Sequence, residues 1–359
     1  MRAAGVRTGV VVTAGLLLAG GLSACASDGG NRPTDVLNAI QARDKASGVV
    51  AAPAAAPAAT SPCKSPYKPE ASYDPLPSVP GTLPAGSLEA TIRNRGFMVV
   101  GVSGDTRLLG ARDKLTDEAP AGFDISVARA IGEAILGPNA DVRYKVITAG
   151  QRFSQVNTGF DAAAKKDGVD LVARAVSMTC DRWATADPSL GSAFSAAYLT
   201  SDQRVLVRTG TASLDALVKA RKAAGSTARV CAPAGSTSLT NIQGMDGVTA
   251  VPVAIHSDCL ALWQEGRVDA ITGDDVILAG FQVQDPTAVI LGGKTLAQTP
   301  YGLAISRAHP EFVRYVNAVM ATSEFRSAWT AAYQAYLAGP LVHSAKSFPA
   351  PVYGRPVAG

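Results

Sequence analysis

The strongest constraint on the fold is an alternation of strand and helix patterns that begins after Gly86. The apolar run at residues 98–102 predicts a buried strand, and residues 123–136 carry apolar side chains at helical spacing until Gly137-Pro138 ends the helix. The same alternation predicts strands at residues 142–147, 169–173, 203–207, 228–232, 249–253 and 268–272. It also predicts a loop and weak helix around residues 151–166, and helices at 213–224, 236 onwards and 257–266. Such spacing predicts two α/β units in tandem, each with a largely parallel sheet, and a cleft between them.

The first residues have a pattern typical of an export signal. Arg2 and Arg7 precede an apolar run that is too short for a transmembrane helix, and small residues follow it. The segment Leu22-Ser23-Ala24-Cys25 resembles the bacterial lipobox. That resemblance implies removal of residues 1–24 as a lipoprotein signal peptide and lipidation of Cys25, so that the protein is anchored at the extracytoplasmic face of the cell membrane. A buried core helix is the alternative.

Residues 25–85 have the composition of a lipidated tether. The stretch 50–60 is an Ala- and Pro-rich low-complexity run, and Pro recurs up to Pro84, which favours extended chain over helix. A short helix at residues 35–46 is compatible with the pattern. The segment is predicted to hold a folded body away from the lipid; if Cys63 is disulfide-bonded, its distal part is instead held against that body.

The remaining cysteines, Cys63, Cys180, Cys231 and Cys259, form an even set in a compartment that is expected to be oxidising. We favour a Cys231–Cys259 disulfide because both residues border strand-like segments of one unit, which leaves Cys63 with Cys180. Four buried free thiols are the alternative.

The charge distribution argues against nucleic-acid binding. The chain has 359 residues, with Lys+Arg 33, Asp+Glu 29 and a net charge of +4, and no basic block. The three histidines, His256, His309 and His343, lie far apart and have no metal-ligand spacing. No nucleotide, metal or other cofactor is implied, and no catalytic motif such as GxSxG is present.

Three strand ends carry polar residues suited to a zwitterion. Hydroxyls and Arg182 follow one strand, a Gly-Ser-Thr turn at residues 235–237 follows another, and Asp274 ends a third. Ligands of such sheets bind beyond the carboxyl ends of the strands, where an Arg and helix N–H groups hold a carboxylate and an Asp holds an ammonium. These positions together indicate a receptor for an α-amino acid.

From about Phe97 to Leu337 the sequence resembles the polar amino-acid family of extracytoplasmic solute-binding proteins of ABC transporters, and most closely the glutamate- and glutamine-binding lipoproteins of actinobacteria. The resemblance is carried by residues 122–131, 177–182, 198–207, 235–238, 266–270 with Asp274, and 300–304. It implies a type II periplasmic-binding-protein-like α/β fold with two lobes and two strands crossing between them. Lobe 1 is expected at residues 86–202 plus 298–345, lobe 2 at 203–297, and a C-terminal tail at 346–359.

The resemblance also implies roles for several residues in lobe 1. Arg182 is expected to grip the ligand α-carboxylate with its planar donor fork. Ser177 is expected to add a hydroxyl and an N–H to that carboxylate, and the Ala175 carbonyl to accept from the α-ammonium. A surface salt bridge to Asp181 or Asp187 is the alternative for Arg182.

In lobe 2, Asp274 matches the family carboxylate that pairs with the α-ammonium, whereas Asp275 is expected to point away from the cleft. Ser236 and Thr237 are expected to supply N–H groups to the carboxylate. Ordinary helix capping is the alternative for these lobe 2 residues.

Selectivity is expected to depend on Arg152, which resembles the family Arg that meets a ligand's side-chain carboxylate, and Arg107 is a candidate for a second clamp. A second buried carboxylate needs a cationic partner, so Arg152 favours glutamate or aspartate over glutamine or asparagine. Extra residues after Arg152, including Asn157-Thr158-Gly159, depart from the family pattern and leave its direction open.

The sequence therefore predicts a monomeric, lipid-anchored receptor that delivers glutamate or aspartate to an ABC permease and catalyses no reaction. Binding of glutamine or asparagine in addition is compatible with the pattern. A sensor that signals through a membrane protein is one alternative. An enzyme on the same fold, similar to a cyclohexadienyl dehydratase, is another, and it would need an acid or base in the cleft.

Overall fold

The computed structural model describes residues 65–79, 81–112, 119–293, 295–341 and 344–357. The strands are β1 (Met98–Val102), β2 (Asp105–Thr106), β3 (Gly110–Ala111), β4 (Val142–Val146), β5 (Phe160–Asp161), β6 (Lys166–Asp167), β7 (Leu171–Ala173), β8 (Ala193–Phe194), β9 (Leu199–Arg208), β10 (Ala228–Pro233), β11 (Val248–Val253), β12 (Ala270–Asp274), β13 (Ala288–Ile290), β14 (Ala297–Tyr301) and β15 (Ala304–Ile305). The helices are α1 (Leu88–Arg95), α2 (Phe123–Leu136), α3 (Arg152–Thr158), α4 (Cys180–Ala184), α5 (Leu214–Ala223), α6 (Thr237–Ile242), α7 (His256–Gln264), α8 (Asp275–Gln284), α9 (Pro310–Ala321) and α10 (Ser323–Tyr336).

Lobe 1 is built on a five-stranded sheet with the order β4-β1-β7-β15-β8. Strand β1 pairs in parallel with β4 and β7, whereas β15 runs antiparallel to β7 and β8. All five residues of β1 are buried, as the apolar run predicts for a central strand covered on both faces. Helices α1, α2, α9 and α10 pack together on this sheet, and α10 lies against α2.

Lobe 2 is built on a six-stranded sheet with the order β11-β10-β12-β9-β13, in which β14 also pairs with β9. Strand β10 is parallel to β11 and β12, and β9 is antiparallel to β12. Helices α6 and α7 pack against β10, and α8 packs against β9 and β13. Small and β-branched residues of β9, β10 and β12 form a separate apolar core on one face of this sheet.

Two chain segments pass between the sheets. Strand β8 lies in the first sheet and β9, five residues later, in the second; on the return, β14 pairs with β9 and β15 rejoins the first sheet. The predicted α/β class, with two lobes and two crossing strands, is thereby confirmed. Since the lobes are connected through this narrow antiparallel pair, the pair is the place where they can hinge.

Around residues 151–166, where the sequence predicts a loop and a weak helix, the structure has a helix that extends only to Thr158. Helix α3 ends at Gly159, where φ is 68°, and the extra residues form the β5–β6 hairpin. A Cβ on Gly168 would lie 2.3 Å from the Gly159 carbonyl oxygen, so the hairpin closes tightly on itself. Residues 161–167 are exposed, so the insertion projects from the lobe.

Residues 65–79 pack on lobe 1, although the sequence assigned them to the tether. Ala71, Ser72 and Tyr73 are buried, and Asn317 of α9 donates to Ser72 Oγ (2.9 Å) and to the Tyr73 carbonyl oxygen (2.8 Å). Ala71 also forms a bridge with Val352 of the predicted C-terminal tail. These parts of both segments thus belong to the folded body. The predicted signal peptide, Cys25, Cys63 and the helix at 35–46 lie outside the described residues.

The Cys231–Cys259 disulfide is confirmed and joins β10 to α7, with the two Cα atoms 5.5 Å apart. Cys180 is also disulfide-bonded. Because Cys63 falls outside the described residues, its pairing with Cys180 stays a prediction.

Within the described ranges, no helix is both long enough and apolar enough to cross a membrane.

Candidate functional site

A small cavity lies where the two lobes meet, at the carboxyl ends of β1, β7, β10 and β12. It encloses about 20 Å³ and is lined by Ser103, Thr106, Leu109, Asp124, Ala149, Arg152, Arg174, Ala175, Ser177, Pro233, Ser236, Thr237, Ser238, His256, Asp274 and Ile277. That space is about enough for one water molecule. The side chains of the two lobes therefore fill the cleft almost completely in this arrangement.

The turn after β7 brings lobe 1 side chains together. Ala175 has a φ of 43°, which is a costly conformation for a residue with a Cβ. It is held there on both sides: its N–H donates to Asp124 Oδ2 (2.8 Å), and its carbonyl accepts from Arg152 Nη1 (3.2 Å). Tyr198 donates its hydroxyl proton to the other oxygen of Asp124 (2.9 Å). Burial nevertheless raises the pKa of Asp124 to about 6.

Arg182 is buried in α4 behind the cavity wall and is not among the side chains that line the cavity. Its Nη1 atom donates to the Ser177 carbonyl (2.7 Å) and its Nη2 atom to the Gly235 carbonyl of lobe 2 (3.2 Å). Burial lowers the pKa of Arg182 to about 10, against the opposing charge of Asp274. The predicted alternative, a surface ion pair, does not fit a side chain that is this deeply buried.

Arg152 lines the cavity and is 3% exposed. Its Nε atom donates to the Ala149 carbonyl (2.8 Å), Nη1 to Ala175, and Nη2 to the same Gly235 carbonyl that Arg182 meets (3.0 Å). Burial holds the pKa of Arg152 well below its usual range, and the charges of Arg182 and Arg174 lower it further. Two buried guanidinium groups of lobe 1 thus converge on one carbonyl oxygen of lobe 2.

Gly235 can approach the guanidinium groups this closely only because it lacks a side chain. Its φ of 73° lies in the left-handed region, and a Cβ would lie 2.8 Å from the Gly150 Cα of lobe 1. The backbones of the two lobes therefore meet closely at Gly150 and Gly235.

Asp274 ends β12 and faces the cavity from lobe 2. It accepts from the Tyr301 hydroxyl (2.5 Å) and from Thr299 Oγ1 (3.1 Å), both on β14. Burial raises the pKa of Asp274 to about 6. Its neighbour Asp275 is also buried but faces away from the cavity, where it accepts from Ser201 (2.5 Å) and pairs with Lys346 (2.7 Å).

The predicted hydroxyl residues meet across the cleft. Ser177 of lobe 1 and Thr237 of lobe 2 share a hydrogen bond between their hydroxyls (3.1 Å). Ser236 caps α6, since its Oγ accepts from the Leu239 N–H (3.1 Å), and it also lines the cavity. Ser236 therefore caps the helix and also lies at the site.

Arg107 is exposed and does not line the cavity. Three cavity residues, Arg174, His256 and Asp124, were not predicted from the sequence to lie at the site. Arg174 follows a buried strand directly, which is a usable signal, whereas His256 reaches the cleft only through the packing of α7. Across the described part of the chain, no group of His, Cys, Asp or Glu side chains is arranged to hold a metal ion.

Comparison of the chain with known proteins identifies a matching family. Residues 98–339 match the model of the bacterial extracellular solute-binding proteins, family 3. The chain is 27% identical over 230 residues to the ABC transporter glutamine-binding protein GlnH of Bacillus subtilis, covering 64% of this chain and 77% of the relative. It is also 27% identical over 217 residues to a glutamine-binding protein of Geobacillus stearothermophilus, covering 60% and 75% of the two chains.

Among solved structures, a solute receptor for L-cysteine of Neisseria gonorrhoeae matches with a TM-score of 0.60 and 18% identity. The match covers 72% of this chain and 96% of the receptor chain. At this identity the match shows a shared fold only.

Proposed function

Because the chain belongs to the bacterial extracellular solute-binding proteins of family 3, we propose that it binds an acidic amino acid, glutamate or aspartate, between its lobes. It then presents this ligand to an ABC importer. The lobes close on the ligand, and no covalent chemistry takes place.

The observation that carries this proposal is the convergence of Arg152 and Arg182 on the Gly235 carbonyl oxygen, in a site that also contains Asp274. A carbonyl is a weaker acceptor than a carboxylate for a guanidinium. When lobe 2 moves away, both arginines lose this acceptor and present free donors. A ligand α-carboxylate then accepts from these donors in place of the Gly235 carbonyl oxygen, and Asp274 receives the α-ammonium as lobe 2 returns.

Closure follows from the division of charge between the lobes. The guanidinium groups belong to lobe 1 and the Asp274 carboxylate to lobe 2, so only the closed form surrounds a zwitterion with both charges. A ligand stabilises the form that it binds more tightly. Since the cavity encloses about 20 Å³, entry of an amino acid requires the lobes to separate first.

Preference for an acidic side chain is supported by the number of buried cations. Arg152, Arg174 and Arg182 all lie at or beside the cavity, and a buried second carboxylate requires such a partner. The relatives in Bacillus subtilis and Geobacillus stearothermophilus are named for glutamine, so amide ligands are the natural competitors.

We further propose that lipidation of Cys25 anchors the mature protein outside the cytoplasmic membrane, where its partner is an ABC permease. Labelled glutamate uptake by cells that lack the protein tests this. Reduced uptake supports delivery to a permease, whereas normal uptake with a lost metabolic response would favour a sensor.

Calorimetry of the purified protein tests the ligand class directly. Glutamate, aspartate, glutamine, asparagine, arginine and glucose are titrated in turn. We expect the acidic amino acids to bind most tightly and glucose not to bind. Binding restricted to sugars or to basic amino acids would overturn the proposal, and turnover of a prephenate-like substrate would replace it with an enzyme.

A further inference from the structure

Arg174, a second buried arginine that lines the cavity, has a guanidinium nitrogen without a hydrogen-bond partner among the described residues. Arg174 directly follows β7 and is 5% exposed. Its Nε atom donates to the Ile147 carbonyl (2.8 Å), whereas its Nη2 atom has no hydrogen-bond partner among the described residues. The Asp105 Oδ1 atom lies 3.8 Å from Nη2, which is beyond hydrogen-bond distance. A buried donor left in this way lacks the partner that buried polar groups normally have.

Arg152, which the sequence assigned to the ligand side chain, is in the opposite situation. All three of its guanidinium nitrogens donate to backbone carbonyls, at Ala149, Ala175 and Gly235. Two of these carbonyls belong to lobe 1 and do not move when the lobes separate. Arg152 therefore holds the β7 turn in place and has less freedom than Arg174 to bind a second carboxylate.

The surroundings of Arg174 complete a polar subsite. His256, the first residue of α7, lines the same cavity, and burial lowers its pKa to about 4, so the ring is neutral near pH 7. Its Nε2 atom is buried and has no hydrogen-bond partner within the described ranges. Asp105 is already engaged: it accepts from Ser103 Oγ (2.8 Å) and, across the cleft, from the Ser257 N–H (3.0 Å).

We propose that Arg174, assisted by His256, binds the side-chain carboxylate of the ligand and determines the choice of acid over amide. This inference rests on the proposed function, since it names the subsite that distinguishes ligands within that site. Arg174 supplies the spare cationic donor and His256 a neutral donor from lobe 2. Because Asp105 bonds to Ser257 next to His256, lobe closure assembles both halves of the subsite together.

The test compares Arg174→Gln with Arg152→Gln in the purified protein. Calorimetry gives the dissociation constants for glutamate and glutamine, and their ratio is the readout. A charge-assisted hydrogen bond contributes enough to change affinity by about 10- to 100-fold. We expect Arg174→Gln to shift the ratio toward glutamine by about that factor, and Arg152→Gln to weaken both ligands with the ratio changed less than about threefold.

The Arg174→Lys variant keeps the positive charge but loses the planar guanidinium donors. It serves as the second variant if Arg174→Gln does not fold. It is expected to retain a preference for glutamate. A ratio that shifts more in Arg152→Gln than in Arg174→Gln would overturn the inference while leaving the proposed function intact. If Arg174→Gln does not fold, a shift toward glutamine of more than about threefold in Arg152→Gln, with the preference retained in Arg174→Lys, would overturn it in the same way. Wild-type protein that binds neither ligand would instead reject the proposed function itself.

Discussion

Lobe 1 meets the cleft with long, buried, charged side chains, whereas lobe 2 meets it with backbone, hydroxyls, the imidazole of His256 and a single carboxylate that faces the cavity. Arg152, Arg174 and Arg182 of lobe 1 are each anchored to lobe 1 carbonyls. Lobe 2 contributes the Gly235 carbonyl, the cap of α6 and Asp274. Lobe 1 can therefore keep its binding groups in place when the cleft opens, and lobe 2 completes the site by moving.

Because of this difference, substitutions in the two lobes should affect ligand binding in different ways. A change in lobe 1 should remove contacts that a ligand makes in either form, whereas a change at the lobe 2 contact surface should act only on the closed form. Interactions that exist in one state alone set the equilibrium between states.

The largest effect is expected from neutralising one charge on each side. Arg182→Gln and Asp274→Asn should each weaken glutamate binding by about 100-fold or more, because each leaves a buried ligand charge without its partner. Calorimetry measures the loss. Asp275→Asn is the matched control, since Asp275 faces Ser201 and Lys346, and it should change affinity only a few-fold. Equal losses at Asp274 and Asp275 would contradict the assignment of the ammonium site.

Much of this architecture could be predicted from sequence because it follows from local pattern. The helix at Phe123–Leu136 was predicted with its observed bounds, and the predicted Cys231–Cys259 disulfide is present. The β5–β6 hairpin was missed because its residues have no strong strand pattern. His256 was missed because α7 brings it to the cleft through tertiary packing, which spacing along the chain does not encode.

A smaller effect is expected at the contact between the lobes. Gly235→Ala should weaken glutamate binding by about tenfold, because its Cβ would press on Gly150 only in the closed form. Gly225→Ala is the matched control: Gly225 has nearly the same φ, 71°, but open space around it. Both variants should lose about 1 kcal/mol of folding stability from the left-handed backbone. Melting temperatures and calorimetry separate the two effects, and equal affinities in the two variants would show that Gly235 does not limit closure.

The smallest effect is a pH dependence of binding that originates in lobe 2. Burial raises the pKa of Asp274 to about 6, so the carboxylate that we propose as the ammonium partner is lost as the pH falls through that value. Glutamate affinity should fall between pH 7.5 and 5.5, with a slope that approaches about tenfold per pH unit. The folding stability of the unliganded protein has the opposite pH dependence. Because the pKa of Asp274 is raised in the folded state, protonation favours that state, and this contribution to stability increases as the pH falls.

The pH series needs a control because Asp124 of lobe 1 also has a pKa raised to about 6 by burial. Asp274→Asn removes the lobe 2 titration and leaves that of Asp124, which is bonded to Tyr198 and the Ala175 N–H rather than to the ligand. The variant should therefore bind weakly but with a nearly flat profile across this range. If glutamate affinity still falls with pH in Asp274→Asn, the titrating group is Asp124 of lobe 1. The ammonium partner would then be Asp124, and the proposed assignment of the ammonium site to lobe 2 would be wrong.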